Sequence, residues 1–547
     1  MTRRIEPTGY EDFHRRFRLE APGDYNFAYD FLDSKAARDP EAPAMVHVGP
    51  NGERRDYDFA YFREESARLA SSLAEAGISK GDRVMLILYR RVEFWTSMLA
   101  LHRLGAVAVP SPALLTSKDI EFRVSHAGIK AVLCEDSITG RVQDVRSACP
   151  SLQLLVQAGE EPAPEGWRDF ETMVRSGDPD FMPADRPGGD DPLLIFFTSG
   201  TTGMPKMVEH THKYPLGHYV TGVFWHDLHP GDVHLTLADT GWGKAVWGKF
   251  YGQWMAGAAV FVWDFRGKFD PEELLDLLAD HGVTSFCAPP TVYRFLVRQD
   301  LSRFDLSRLR HCTTAGELLN EGVFLRWKEL TGLYIYEGYG QTETCLQIGT
   351  FPFMEPKPGS IGKPAPGWKV ALLDEAGEIC PPGEEGEISI DISEGRPVGL
   401  FTGYMDAPEK TAEVMSGGWY RTGDKAWMDE DGYYWFLGRN DDLIKSSGYR
   451  VGPFEVESAL ITHEAVVEAA VTGIPDEVRG QAVKATVVLA PGFKASDELT
   501  RQLQDHVKSI TAPYKYPRVV EYAAELPKTI SGKIKRAEIR ARDLEKS

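Results

Sequence analysis

The sequence predicts an α/β protein: a large N-terminal domain of layered α/β sheets with a small β-rich subdomain, followed by a small α+β C-terminal domain. Three observations carry this. Strand-like and helical periods alternate from residue 62 to 156, the pattern of a parallel sheet covered by helices on both faces. Across 359–438, Gly and Pro turns recur among brief apolar runs, as in a compact β unit. From Asp441 onward, two helical and three strand-like stretches mix in an α+β pattern. At 547 residues the chain is too long for one core, and the expected division is 1–440 and 441–547.

Residues 62–76 have helical periodicity and stop at Gly77, a residue suited to a left-handed cap. Residues 83–88 read as a strand, 92–104 as a helix ending at Gly105, 106–109 as a strand and 118–127 as a helix. The stretches 131–134, 142–148 and 152–156 continue the alternation. Rich in Pro, Gly and acidic residues, 158–191 reads as a long surface connection. It leads to five apolar residues, 193–197, a buried strand. Further on, 271–281 reads as a helix, and 284–288 and 333–336 as strands. The last unit has helices at 452–461 and 497–510 and strands at 466–471, 483–489 and 518–522.

Lys and Arg total 61 against 81 Asp and Glu, a formal charge of −20. That opposes general nucleic-acid binding, so a polyanionic substrate needs a local basic site. Six scattered cysteines without a C-x-x-C pair indicate free thiols in a reducing compartment. Residues 1–13 are charged and lack the apolar core of a secretory signal. No apolar run is long enough to span a membrane. Cytoplasm, or an organelle matrix, is the expected compartment.

The strand at 193–197 runs into Thr198, Ser199, Gly200, Thr201, Thr202, Gly203, Met204, Pro205 and Lys206. Bare N–H groups, hydroxyls and one fixed cation are what hold a polyphosphate; the same residues also suit a polar hairpin turn. A Walker loop is excluded, because Lys206 follows proline and an apolar strand comes next. Tyr339, Gly340, Gln341, Thr342 and Glu343 follow the expected strand at 333–336. Thr342 suits a phosphate and Glu343 a Mg²⁺ ion, which takes oxygen ligands; a polar turn with a solvated glutamate is the other reading. His210 and His212 read as a metal pair or as two polar residues leaving a strand.

Residues 198–206 resemble the signature of the adenylate-forming superfamily of acyl- and aryl-CoA synthetases, luciferases and adenylation domains. Five further stretches match in the family's order: Gly316-Glu317, "YGQTE" at 339–343, "YRTGD" at 420–424, 438–442 with "KSSGYR" at 445–450, and "PKTISGK" at 527–533. "DTGWGKAVWGKFYGQW" and "HVKSITAPYKYPR" are most similar to medium-chain acyl-CoA synthetases. The resemblance implies two half-reactions: attack of a carboxylate on the α-phosphate of ATP, giving acyl-adenylate and pyrophosphate, then attack by the CoA thiol, releasing AMP. It implies Mg²⁺ as cofactor and ATP, CoA and a small carboxylic acid as partners. No carrier domain is expected after Lys533, and a monomer or homodimer is expected.

By the same resemblance, Lys533 is the catalytic lysine of adenylation and the loop 198–206 holds the β- and γ-phosphates. Gly316, Glu317, Glu337, Gly338, Tyr339, Gly340 and Gln341 belong to the nucleotide site. Thr342 holds the α-phosphate, and Asp424 and Arg439 fix the ribose. Asp441 is the hinge of a mobile C-terminal domain. Ser447, Gly448, Tyr449, Arg479, Lys508, Tyr516 and Arg518 meet CoA, and Arg450 meets phosphate. Trp242, Gly243 and Trp247 are the candidates for the acyl wall; an ordinary aromatic core is the other reading of these residues.

Overall fold

The computed structural model describes residues 2, 4–198, 205–267, 269–446, 449–476, 478–528 and 534–546. Among these residues the strands form four sheets. The largest has a parallel centre: Pro43–Val48, Ala259–Trp263, Val233–Thr236, Ser285–Cys287, His311–Ala315 and Ile335–Tyr339, in that spatial order. Short antiparallel strands close both its edges. The second sheet is parallel through Leu154–Ala158, Ala131–Glu135, Arg83–Ile87, Val107–Pro110 and Pro192–Thr198. Lys206–Thr211 then returns antiparallel to Pro192–Thr198. Covered on both faces, strands such as Ala131–Glu135 are buried throughout and therefore read as continuous apolar runs. The main core holds Phe27, Phe59, Trp95, Tyr251 and Trp254.

Local signals set the helix ends. The helix Val92–Leu104 stops at Gly105, whose φ of 71° is open to glycine at no steric cost. Ser117–Ala127 starts with a reciprocal capping box between Thr116 and Asp119. The helix expected at 62–76 starts earlier, as Phe59–Glu75, because Asp58 accepts from the Tyr61 N–H.

Two expectations need correction. The stretch 158–191 is not simply an irregular connection: it contains the strand Arg168–Asp169 and the helix Phe170–Ser176. Asp169 caps that helix, which buries Phe170, Met173 and Val174. Two turns flanked by Pro, Gly and acids show too little periodicity to stand out. The strand expected at 333–336 runs Ile335–Tyr339, so Tyr339 ends the strand instead of following it.

The third sheet joins Val370–Leu373, Glu385–Asp391, Trp419–Met428, Met415–Ser416 and Tyr434–Arg439. One short strand of the same stretch, Gly403–Tyr404, pairs instead with Lys206–Thr211 in the second sheet. The fourth sheet draws only on residues after 441: Tyr449–Val451, Ile444–Ser446, Gly480–Leu489, Val466–Asp476 and Val519–Tyr522. One contact of its body with the rest is at Asn320, whose amide donates to Ser458 O and Oγ at 3.1 and 3.0 Å. Among the described residues, no helix is long and apolar enough to cross a membrane.

Candidate active site

Thr198 and Lys206 face each other in register, so sheet pairing fixes both ends of the signature loop. Ser199, Gly200, Thr201, Thr202, Gly203 and Met204 lie outside the described residues. Pro205 precedes the returning strand, which begins at Lys206. The Lys206 ammonium lies 4.9 Å from the centre of the Tyr404 ring. Burial lowers its pKa from the ordinary lysine range, Lys410 and Arg439 add to this, and Glu343 opposes it.

Thr342 and Glu343 stand beside this hairpin. The Thr342 carbonyl accepts from His210 Nε2 at 2.7 Å. Burial holds the His210 imidazole neutral, with a pKa pushed down to about 3. Glu343 Oε1 accepts from the Tyr404 hydroxyl at 2.8 Å, and the Glu343 carbonyl accepts from the Phe401 N–H. Gly338 and Gly340 are required by space: a Cβ would lie 2.5 Å from Trp225 at the first and 2.3 Å from Trp247 at the second.

Asp424 joins three elements. Its Oδ2 accepts from the Tyr339 hydroxyl at 2.6 Å and from the Gln341 amide at 2.7 Å, and Oδ1 faces Arg439 at 3.4 Å. Gln341 also receives the Tyr420 hydroxyl at 2.7 Å. Arg439 Nε lies 3.8 Å from Asp441.

Gly316 follows the strand His311–Ala315 with a φ of 96°. Lys244 donates to Ala315 O at 2.8 Å, which ties the Trp242 segment to this turn. Glu317 is exposed and accepts from Thr291. Glu337 is turned inward: its Oε2 accepts from the Leu319 N–H, and burial raises its pKa to about 8. It thus braces the Gly316–Leu319 turn, and its side chain is buried in the core. A Cβ at Gly243 would lie 3.9 Å from Thr342 Cγ2, so that segment borders the signature site. Trp242 is half-buried, and Trp247 is buried beneath Gly340.

In the fourth-sheet body, Tyr516 lies between Lys508 and Arg518, each cation 4.3 Å from its ring centre. Lys508 also pairs with Asp505, and Arg479 with Asp476. Tyr449 is exposed and stacks on Tyr514 at 4.2 Å. Ser447, Gly448, Lys533 and the Arg450 side chain lie outside the described residues. The metal reading of His210 and His212 is not supported: His210 meets Thr342 while His212 Nδ1 lies 3.2 Å from the Asn26 amide. No cluster of three metal-ligating residues occurs among the described residues.

Sequence reasoning missed Tyr404 and Glu387. Glu387 accepts from the Gly423 N–H at 2.9 Å and so fixes the turn before Asp424. Its nearness to "YRTGD" comes from the pairing of two strands distant in sequence, so residue types carried no signal for it. Tyr404 had none, because the pairing of its two-residue strand is a tertiary event.

The profile of the "AMP-binding enzyme" family matches residues 32–405, and that of the "AMP-binding enzyme C-terminal domain" matches 455–533. The chain belongs to the AMP-binding enzyme family. Among its relatives is the mouse "Acyl-coenzyme A synthetase ACSM3, mitochondrial", 44% identical over 98% of this chain and 93% of the relative. The human "Acyl-coenzyme A synthetase ACSM5, mitochondrial" is 43% identical over 96% of this chain and 92% of its own. Among solved structures, the anthranilate CoA ligase AuaEII in complex with anthranoyl-AMP superposes with a TM-score of 0.87 at 32% identity, covering 96% of this chain and 98% of its own. The Brucella canis acyl-CoA synthetase gives 0.74 at 34% identity, over 98% and 99%. This AMP-binding enzyme therefore shares both its sequence and its fold with CoA-ligating relatives along nearly its whole length.

Proposed function

We propose that the protein is an AMP-forming acyl-CoA synthetase that activates a medium-chain carboxylic acid. The observation that carries this reading is the meeting of Lys206, Thr342, Glu343, Asp424 and Arg439 from three sheets around one site, bordered by the Trp242–Trp247 segment. Lys206 and the loop before it hold the β- and γ-phosphates, and Thr342 the α-phosphate. Asp424 and Arg439 take the ribose hydroxyls, while the Gly316 turn, braced by Glu337, lies along the base. Glu343 fits a Mg²⁺ ion: it offers hard oxygen, and among the described residues only one of its carboxylate oxygens accepts a hydrogen bond, from Tyr404. The ion, when bound, neutralises phosphate charge.

The carboxylate attacks in line and pyrophosphate leaves. Lys533, on the C-terminal domain, draws the two anions together during this step. That domain then turns about Asp441, withdrawing Lys533 and presenting the Ser447–Tyr449 segment to the CoA thiol. Arg479, Lys508, Tyr516 and Arg518 take the CoA nucleotide, and Arg450 a phosphate. An aromatic acid is a second reading, favoured by the indole of Trp247 at the site and by the superposition on the anthranilate ligase. The compartment is cytoplasm or organelle matrix; the mouse and human relatives named above are mitochondrial.

The test is a panel of straight-chain, branched and aromatic acids with ATP and CoA, scored by kcat/KM. CoA-dependent multiple turnover of AMP release with highest kcat/KM near medium chain length is expected. AMP release that does not need CoA overturns the reading. Lys533→Ala should abolish acid-dependent pyrophosphate exchange yet spare thioester formation from preformed acyl-adenylate. Equal loss of both half-reactions rules out the assigned role.

A further inference from the structure

We infer that Tyr404 is a positioning residue that holds Glu343 ready for the metal and prevents Lys206 from pairing with it. The inference rests on the roles proposed above for Lys206 and Glu343, and the experiment below separates the two. Tyr404 reaches the site from a two-residue strand that pairs with Lys206–Thr211 in the second sheet. Its partner across the strands is Val208. Val208 and Lys206 are two apart on one strand, so their side chains share a face, and Tyr404 stands diagonally across from the lysine.

The segment 401–405 is pinned along its length. Thr402 N–H donates to Glu209 O and Met405 N–H to Met207 O, both at 2.9 Å. Tyr404 N–H donates to Thr411 Oγ1 at 2.9 Å. The same segment grips Glu343 twice, through the Phe401 N–H on its carbonyl at 2.8 Å and the Tyr404 hydroxyl on Oε1 at 2.8 Å. The other face of Tyr404's work is its ring, which lies 4.9 Å from the Lys206 ammonium.

Lys206 and Glu343 meet the same side chain, one at the ring and the other at the hydroxyl of Tyr404, and opposite charges so placed would ordinarily be drawn into an ion pair. Among the described residues the Lys206 ammonium meets the Tyr404 ring and Glu343 Oε1 the Tyr404 hydroxyl, and no ion pair joins the two. The aromatic ring offers the cation a weaker partner, and the hydroxyl offers the carboxylate an uncharged donor. Each charge is thereby kept for a ligand: the ammonium for phosphate, the carboxylate for the metal. A direct pair would take both from the nucleotide at once.

Three variants of the full chain separate these roles: Tyr404→Phe, which keeps the ring and loses the hydroxyl; Tyr404→Leu, which loses both; and Glu343→Gln. Calorimetry measures binding of α,β-methylene-ATP over a range of Mg²⁺ concentrations. Losing an outer-shell partner typically costs ~10–100-fold in metal affinity. Tyr404→Phe is expected to raise the Mg²⁺ half-saturation about tenfold and to leave metal-free analogue affinity unchanged. Tyr404→Leu should also weaken metal-free binding, because Glu343 captures Lys206. Adding Glu343→Gln to Tyr404→Leu should then restore metal-free binding, a rescue that a merely structural tyrosine would not show. If Glu343→Gln abolishes the Mg²⁺ dependence while Tyr404→Phe leaves it intact, Tyr404 is not the positioning residue. If Glu343→Gln itself leaves the dependence intact, the metal role of Glu343 fails, and the inference falls with it.

Discussion

Glu337 is a case in which one residue's surroundings set its chemistry. A carboxyl with a folded pKa near 8, against an ordinary 4.5, stays protonated where the unfolded chain would ionise. The first cause is burial, which penalises the charged form; the Leu319 N–H opposes it. Its linkage contribution to stability is complete below pH 4.5 and is lost as pH rises to about 8. Glu337→Gln has no proton to lose. The melting temperature of this variant relative to the parent should therefore rise steadily from pH 5 to 8.5. Thermal melts at three pH values measure it, and a constant difference would show that Glu337 ionises normally. The family resemblance assigned Glu337 to the nucleotide site, but no residue type reveals that its side chain turns inward. That depends on the depth of a strand in a sheet.

At the scale of elements, the site was legible where chemistry is local and illegible where it is tertiary. The apolar run at 193–197 marks its strand by itself, because five consecutive apolar residues match a strand buried on both faces. The helix Phe170–Ser176 and the strand Gly403–Tyr404 are too short to show a period. Their existence depends on what they pack against. The "YGQTE" turn lies between these cases. Its residue types are visible, but the reason for its glycine is not: Gly340 makes room for the Trp247 ring and for Cys345 O, which a Cβ would approach to 2.6 Å. A backbone oxygen cannot swing aside as a side chain can. Gly340→Ala should therefore destabilise the fold by about 1–3 kcal/mol, and pyrophosphate exchange should fall by more than the loss of folded protein explains. Exchange measured per folded molecule tests this, and unchanged specific activity would mean that Trp247 yields without moving Thr342.

The whole molecule divides its anchors at one residue. Asn440 N–H donates to Gly423 O, so Asn440 belongs to the third sheet. Asp442 pairs with Arg540 at 2.6 Å and lies 3.8 Å from Arg536, so it belongs to the C-terminal body. Asp441 alone stands between them. A rotation of one body against the other is absorbed at least cost there, although the turn bonds from Asp442 and Leu443 N–H to Arg439 O must adjust. The motif resemblance pointed to this position, and the anchors on either side supply a physical reason. Asp441→Pro fixes φ near −65° and should confine the chain to one orientation. Acid-dependent pyrophosphate exchange should persist, while thioester formation from preformed acyl-adenylate should fall roughly a hundredfold, about 2.7 kcal/mol of barrier. Asp441→Ala, which leaves φ free, should retain both half-reactions and so separates lost mobility from lost charge. If Asp441→Pro sustains normal overall turnover, the bodies turn elsewhere. If Asp441→Ala matches its defect, the carboxylate beside Arg439 matters more than the freedom of the backbone.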